Sequence, residues 1–190
     1  MTRRNEAARQ AILTAAYDLV GEIGYSKLSV EGIATRAGVG KQTIYRWWPS
    51  KGAVLLDALL LTVGGPAGDL PDTGDLEADL RTILFATVDE FADPGVDAVM
   101  RGLIAEIAHD PGLAALYAER VDGPVRELKR RRLRAAQEAG QIDPDLDLDA
   151  AVDLLWGPLL SRWLQRAGPL DHDFAARTIS MALSGMSRKM

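Results

Sequence analysis

The residues best equipped for chemistry stand together in one short stretch, Lys41-Gln42-Thr43-Ile44-Tyr45-Arg46. Lys41 and Tyr45 are four apart, as are Gln42 and Arg46, so on a helix these four share the side away from Ile44. That side carries two cations, an amide and a phenol, and no carboxylate. A merely solvated face ordinarily mixes both signs, so this one fits a polyanion. Lys and Arg can bind phosphates or the edge of guanine, and an amide can pair bidentately with adenine. The hydroxyls of Thr43 and Tyr45 can donate to phosphate. The chemistry on offer is recognition of nucleic acid.

The flanking residues must build a holder for that face. Ser29 is a good N-cap, and Val30, Ile33, Ala34 and Ala37 fall on one stripe of a helix. Gly38 stands where the chain needs a left-handed residue to stop. Val39 returns to the core, and a second helix begins near Gly40 or Lys41, with Ile44 and either Trp47 or Trp48 turned inward. Pro49 prevents its continuation, and Ser50 can cap the next helix. Two short helices joined by a turn containing glycine make a helix-turn-helix. Before them, Ala8, Ala11, Ile12, Ala15, Ala16, Leu19, Val20 and Ile23 give the stripe of a helix over residues 5–23 closed by Gly24. Arg3 and Arg4 precede it as a cationic arm, and Tyr25 to Leu28 form a connector that plugs the three-helix core.

The block Ser29-Val30…Ile33-Ala34…Ala37-Gly38-Val39…Thr43-Ile44-Tyr45…Trp48-Pro49-Ser50-Lys51 resembles the DNA-binding signature of the TetR family of transcriptional regulators, usually one-component bacterial repressors. Gly40 stands where that signature carries Ser, so a capping hydroxyl is missing. Trp47 and Trp48 replace Tyr and Phe and keep the aromatic character. The resemblance implies a double-stranded DNA operator as partner. Lys41, Gln42, Thr43 and Arg46 face bases or phosphates, Tyr45 and Lys51 face phosphates, and Ser29 and Trp47 complete the DNA-binding set. It also implies that the rest of the chain binds a small effector and that its last two helices form a four-helix bundle in a homodimer. Farther along, Gly140-Gln-Ile-Asp-Pro-Asp and Leu155-Trp-Gly-Pro-Leu resemble one C-terminal subgroup of the family without pointing to a ligand.

The whole chain sets bounds on this reading. Its 190 residues suffice for one or two compact domains, and 47% apolar with 26% charged residues is ordinary for a globular protein. Without cysteine there is no disulfide framework and no thiolate nucleophile, and the two histidines, His109 and His172, have no ligand spacing. Neither a metal nor a cofactor is expected. The start, Met-Thr-Arg-Arg-Asn-Glu, leads into no apolar run, and no stretch approaches the ~18 apolar residues of a membrane span. A cytoplasmic protein is expected. The net charge of −5 argues against nucleic acid until its distribution is read. Residues 1–50 hold seven cations and four anions, +3, leaving −8 for the remaining 140 residues. A basic module on an acidic body presents one end to DNA.

From residue 51 the pattern stays helical, so the fold class is all-α: a helix-turn-helix domain over 1–50 and a helical effector-binding and dimerisation domain over 51–190. A helix over about 51–63 begins beside the recognition helix and ends in the body. Residues 64–74, rich in Gly and Pro, read as a loop. Helices follow from Asp75 through Phe91, from Asp93-Pro94 through Ile107 and from Asp110-Pro111 through Tyr117. A break at Gly123-Pro124 precedes a long helix to Ala139. Residues 147–166 form the most apolar helix, kinked at Pro158, and a last helix starts near Asp171. Apolar stripes on 148–164 and 174–186 exceed what one protomer can cover and predict the dimer seam. Phe85, Phe91, Met100, Tyr117, Trp156 and Trp163, with few polar groups among them, suggest a mostly apolar effector cavity with one or two polar anchors.

Other features invite weaker readings. Lys129-Arg-Arg-Arg-Leu-Arg134 reads as a solvated helix face paired with nearby acids, although Arg126, Arg130 and Arg134 share a side that suits an acidic partner. His109-Asp110 lacks a nucleophile, and Asp110 is needed as a cap. Asp143, Asp145, Asp147 and Asp149 alternate but lack the glycine and closing glutamate of a calcium loop. No polar constellation supports an enzyme. The alternative class is an architectural protein that coats DNA through the same helix-turn-helix without an effector.

Overall fold

The computed structural model describes residues 3–63 and 70–187, all of them helix, turn or loop. In chain order the helices are α1 (Arg3–Ile23), α2 (Val30–Ala37), α3 (Lys41–Tyr45), α4 (Lys51–Val63), α5 (Leu76–Ala92), α6 (Pro94–Ile107), α7 (Pro111–Tyr117), α8 (Gly123–Glu138), α9 (Leu148–Gln165) and α10 (His172–Met186). The chain forms two compact units, residues 1–67 with 93–121 and residues 68–92 with 122–190. This packing cuts the chain elsewhere than residue 50: α4 lies in the first core, against α1, α6 and α7.

The first unit is built on Ile12, Leu13, Ile33, Ile44, Leu55, Leu56 and Leu103, each at most 1% exposed. Full burial of each such side chain contributes about 1.5–3 kcal/mol. A 3-10 turn, Tyr25–Lys27, feeds α2. The Tyr25 ring lies where α4 and α6 both narrow to glycine. A Cβ on Gly102 would meet Tyr25 Cβ at 2.7 Å, and one on Gly52 would meet Leu113 Cδ2 at 2.6 Å. Ile23, expected in the α1 stripe, is 41% exposed, since α1 has reached its last turn there. α1 already includes Arg3 and Arg4, so they do not precede the helix; their side chains lie outside the described residues.

The second unit packs α5, α8, α9 and α10 around Leu80, Leu84, Leu133, Leu155, Leu159 and Ile179, all 0% exposed. Of the loop expected over 64–74, residues 64–69 lie outside the described residues. Asp93 and Asp110 cap α6 and α7 with proline following each, and Asp147 and Asp171 cap α9 and α10. The break expected at Gly123-Pro124 does not occur. A π-helical turn, Ala118–Asp122, runs into α8 with Asp122 still right-handed (φ −61, ψ −49). Pro124 falls in the first turn of α8, a position that proline favours. α9 also continues through Pro158, which leaves the Leu154 carbonyl without its helical donor.

Candidate nucleic-acid interface

Ser29 closes the N-terminus of α2 by accepting from the Gly32 N–H at 3.1 Å. Gly38 takes the left-handed conformation (φ 67, ψ 32), and the Val39 N–H reaches back to the Ala34 carbonyl at 3.0 Å. These contacts set the turn into α3. Gly40 is the N-cap of α3 and supplies no side-chain bond. Ile44, 1% exposed, and Trp48, 5% exposed, hold α3 to the core, so of the two tryptophans it is Trp48 that turns inward. Trp47 stays half-buried with its ring edge-on to Trp48.

That anchoring leaves Lys41, Gln42, Tyr45 and Arg46 exposed and Thr43 half-buried. The Arg46 guanidinium lies over the Trp47 ring at 5.2 Å. A carboxylate absent from α3 itself arrives from α2: Lys41 Nζ donates to Glu31 at 3.0 Å. The hydrogen bond from Lys41 holds the Glu31 carboxyl below its ordinary range, and the same bond raises Lys41. An incoming phosphate must compete with Glu31 for this ammonium. Lys51, half-buried, donates to the carbonyls of Leu28 at 3.2 Å and Tyr25 at 3.4 Å and lies over the Tyr25 ring. It clasps the connector. Ser50 caps α4 through the Ala53 N–H at 3.3 Å.

Sequence reading missed what holds Trp48. Its indole Nε1 donates to Asp57 Oδ2 at 2.9 Å, and the same carboxylate takes Arg9 at 2.8 Å and Arg120 at 2.5 Å. Burial alone would raise the Asp57 carboxyl, but its bonds from Trp48, Arg120 and Arg9 hold it below the ordinary value. The signal was present: Asp57 is a single acid inside the apolar run 53–61, and a buried acid needs partners.

The six residues suggested for an effector divide between the units. Met100 and Tyr117 pack against the first core. In the second unit Phe91 stacks on Trp163 with centroids 4.7 Å apart, and Phe85 stacks on His172 at 4.3 Å. Lys129 Nζ lies 4.3 Å from the Trp156 ring centre. Burial lowers the Lys129 pKa to about 8, against the opposing pull of Asp122, Asp153 and Glu90. The basic run is therefore no uniform solvated face. Arg132 is 4% exposed and bonded to Asp79, while Arg126 and Arg130 spend their charge on Asp149 and Asp153 of α9. The His109 ring bonds the Ala105 carbonyl, and Asp143 and Asp147 tie down the 143–149 loop by accepting from Asp145 and Asp149 N–H groups. An open depression of about 450 Å³ beside α10 is lined by Val88, Asp89, Ala92 and Leu170 to Asp173, none of them among the six.

Known families cover the chain in two stretches. Residues 12–58 match the family described as bacterial regulatory proteins, tetR family, and residues 70–182 match the tetracyclin repressor-like, C-terminal domain. The chain is similar to the HTH-type transcriptional regulator YdeS of Bacillus subtilis (strain 168), 32% identical over 96% of this chain and 91% of that one. It is 27% identical to the DNA-binding transcriptional repressor TetR of Mycobacteroides abscessus, over 96% of this chain and 95% of that one. Among solved structures, the TetR family transcription regulator SCO0332 has a TM-score of 0.75 at 37% identity, covering 95% of this chain and 99% of that one. FadR of Bacillus subtilis, solved in complex with stearoyl-CoA, shares the fold at a TM-score of 0.73 and 19% identity, covering 93% and 98%. Among the described residues no helix is long and apolar enough to cross a membrane.

Proposed function

Because the chain belongs to the TetR family of DNA-binding transcriptional regulators, we propose that it is a homodimeric repressor, released from a near-palindromic operator by a small hydrophobic effector. The observation that carries the operator half is the exposed face of α3, where Lys41, Gln42, Tyr45 and Arg46 stand out while Ile44 and Trp48 fix the helix from behind. In this reading Gln42 and Arg46 read base edges, with Thr43 beside them, and Tyr45, Trp47 and Ser29 border the phosphates. Lys51 acts chiefly by holding the connector and adds long-range positive charge. The division of labour is a reading head over residues 1–50 and an effector-binding and dimerising region over 51–190.

Dimerisation draws support from the outer sides of α9 and α10. Leu154, Leu160 and Leu164 are 42–49% exposed and Met181 is 77% exposed, large apolar side chains that a second copy could cover. Two-fold pairing there sets two reading helices one turn of DNA apart, or a multiple of it.

For the effector, the second unit supplies Phe85, Phe91, Trp156 and Trp163; Met100 and Tyr117, packed against the first core, fall outside this reading. Lys129 is a fitting polar anchor, since an ammonium with a pKa of about 8 is desolvated and has a proton to offer to an acceptor. Stearoyl-CoA in FadR illustrates that this fold takes a long apolar chain. Release requires the effector to favour the state that mismatches the operator, because equal affinity for both states shifts nothing.

The test is selection of duplexes from a random library by the purified chain, followed by a thermal-shift screen of apolar and anionic compounds and operator release with the hits. A palindromic consensus and release by apolar hits are the expected results. Uniform coating without a consensus overturns the operator half. Stabilisation by anions alone, or stabilising apolar compounds that never lower operator affinity, overturns the effector half.

A further inference from the structure

Asp57 is 8% exposed on an α4 whose neighbouring positions, Leu55, Leu56, Ala58 and Leu59, are at most 3% exposed. Its two oxygens are used differently. Oδ2 accepts from the Trp48 indole at 2.9 Å and from Arg9 at 2.8 Å, both from the segment that carries the reading helix. Among the described residues, Oδ1 accepts only from Arg120 at 2.5 Å, sixty-three residues along the chain. Arg120 belongs to the π-helical turn Ala118–Asp122, and the chain enters the second unit at Asp122.

Trp48 is joined to α3 by its backbone as well, its N–H bonding the Ile44 carbonyl at 2.9 Å. The indole is therefore fixed at both ends, by the last turn of α3 and by Asp57. A carboxylate is rigid and planar, so displacement of the donor on one oxygen rotates the other oxygen and the groups bonded to it. Arg9 cannot deliver such a signal, because it rises from α1 within the same three-helix core and also faces Glu6 one turn away at 3.8 Å. Arg120, with 40% of its side chain exposed, is the donor free to leave.

We propose that Arg120 sets the orientation of α3 through Asp57 and Trp48, which makes Asp57 a positioning residue for DNA reading and the 118–122 turn its point of control. The proposal rests on the operator-binding reading above. It assigns the coupling to three named side chains, and the turn that bears Arg120 is the part of the first unit nearest in sequence to the effector-binding helices α8 and α9.

The test uses the full chain, the duplex that the wild type selects, and an unselected duplex of equal length. Arg120→Gln is expected to move the Trp48 indole N–H resonance in ¹⁵N spectra and to weaken binding of the selected duplex about fivefold, the effect of one half-exposed charge pair. Affinity for the unselected duplex, which rests on phosphate contacts, stays within about twofold. Trp48→Phe gives the same loss, the double variant loses no more than either single, and Arg120→Lys restores binding, as expected of residues acting in series. An unmoved indole resonance with unchanged selected-duplex affinity in Arg120→Gln, or losses that add in the double variant, would overturn the proposal. Asp57→Asn should reproduce both changes; if it fails to fold, the Arg120 and Trp48 variants decide the matter without it. Failure of the wild type to select any duplex removes the operator reading and this proposal together, and it shows before any variant is made.

Discussion

Among the described residues each unit buries a charged cluster, and the two clusters are built on opposite plans. In the second, Arg132 is 4% exposed and Asp79 is 1% exposed. The guanidinium donates to Asp79 Oδ2 at 2.6 and 3.0 Å and to the Pro71 carbonyl at 3.0 Å, while Thr73 donates twice to Asp79. Burial pushes the Asp79 carboxyl up, but Arg132 and Thr73 hold it below the ordinary range. In the first unit one buried acid faces two cations with side chains 29% and 40% exposed. A pair with both ends out of water cannot be opened without stranding a charge. A pair with one end in water can, so the first cluster suits adjustment and the second suits permanence.

The largest test of that contrast is Asp79→Ala. It leaves Arg132 buried without its partner and should lower stability by about 3–5 kcal/mol, read from the urea midpoint of the second unit. Asp79→Leu with Arg132→Met should recover most of the loss. Arg120→Gln, at a half-exposed site, should cost about 1 kcal/mol or less, read from the urea midpoint of the first unit. Equal losses at the two sites erase the distinction.

On the reading face, Gln42→Ala and Arg46→Ala should each give up about 1–3 kcal/mol of discrimination at one base position. Lys51→Ala should lower the unfolding midpoint through its lost bonds to Tyr25 and Leu28, weakening all sequences alike without altering the consensus. Were selection with both face variants to return the parent consensus at every position, α3 would not be the element in the groove.

The smallest effect concerns Lys129. Its folded pKa of about 8 lies below that of an unfolded lysine, ~10.4, so between those values the unfolded chain binds more protons and stability gains with rising pH. Below about pH 8 the buried ammonium is charged in both states and its desolvation opposes folding. Asp122, Asp153 and Glu90 moderate that cost and Arg126 adds to it. Lys129→Met should therefore be more stable near neutrality, the advantage shrinking from pH 8 to 10. A constant difference across that window would place the ammonium in water.

Local rules carried most of the fold. Ser29, Asp93, Asp110, Asp147 and Asp171 each announce a helix start, and each is observed as a cap. The two faces of α3 were equally legible, because Ile44 and the outward residues follow from spacing alone. What escaped was pairing at long range. Nothing near Asp57 points to Arg120, sixty-three residues away, or near Arg132 to Asp79, fifty-three away. The charge run 129–134 looks uniform in sequence, yet helical rotation sends Arg132 inward and leaves Arg131 and Arg134 outside. The break expected at Gly123-Pro124 fails for a related reason: glycine followed by proline permits a break but does not require one.

The two glycines around Tyr25 differ in what they allow over many generations of substitution. The obstacle to a side chain at Gly52 is the tip of Leu113, which a rotamer change or a shorter residue at 113 can withdraw. The obstacle at Gly102 is Tyr25 Cβ itself at 2.7 Å, an atom that every residue except glycine possesses. Position 52 can therefore open after a prior change at 113, whereas position 102 stays closed whatever replaces the tyrosine ring, unless residue 25 first becomes glycine. The order in which changes can accumulate is thus written into one crossing of two backbones: Gly102 can change only after residue 25 has become glycine.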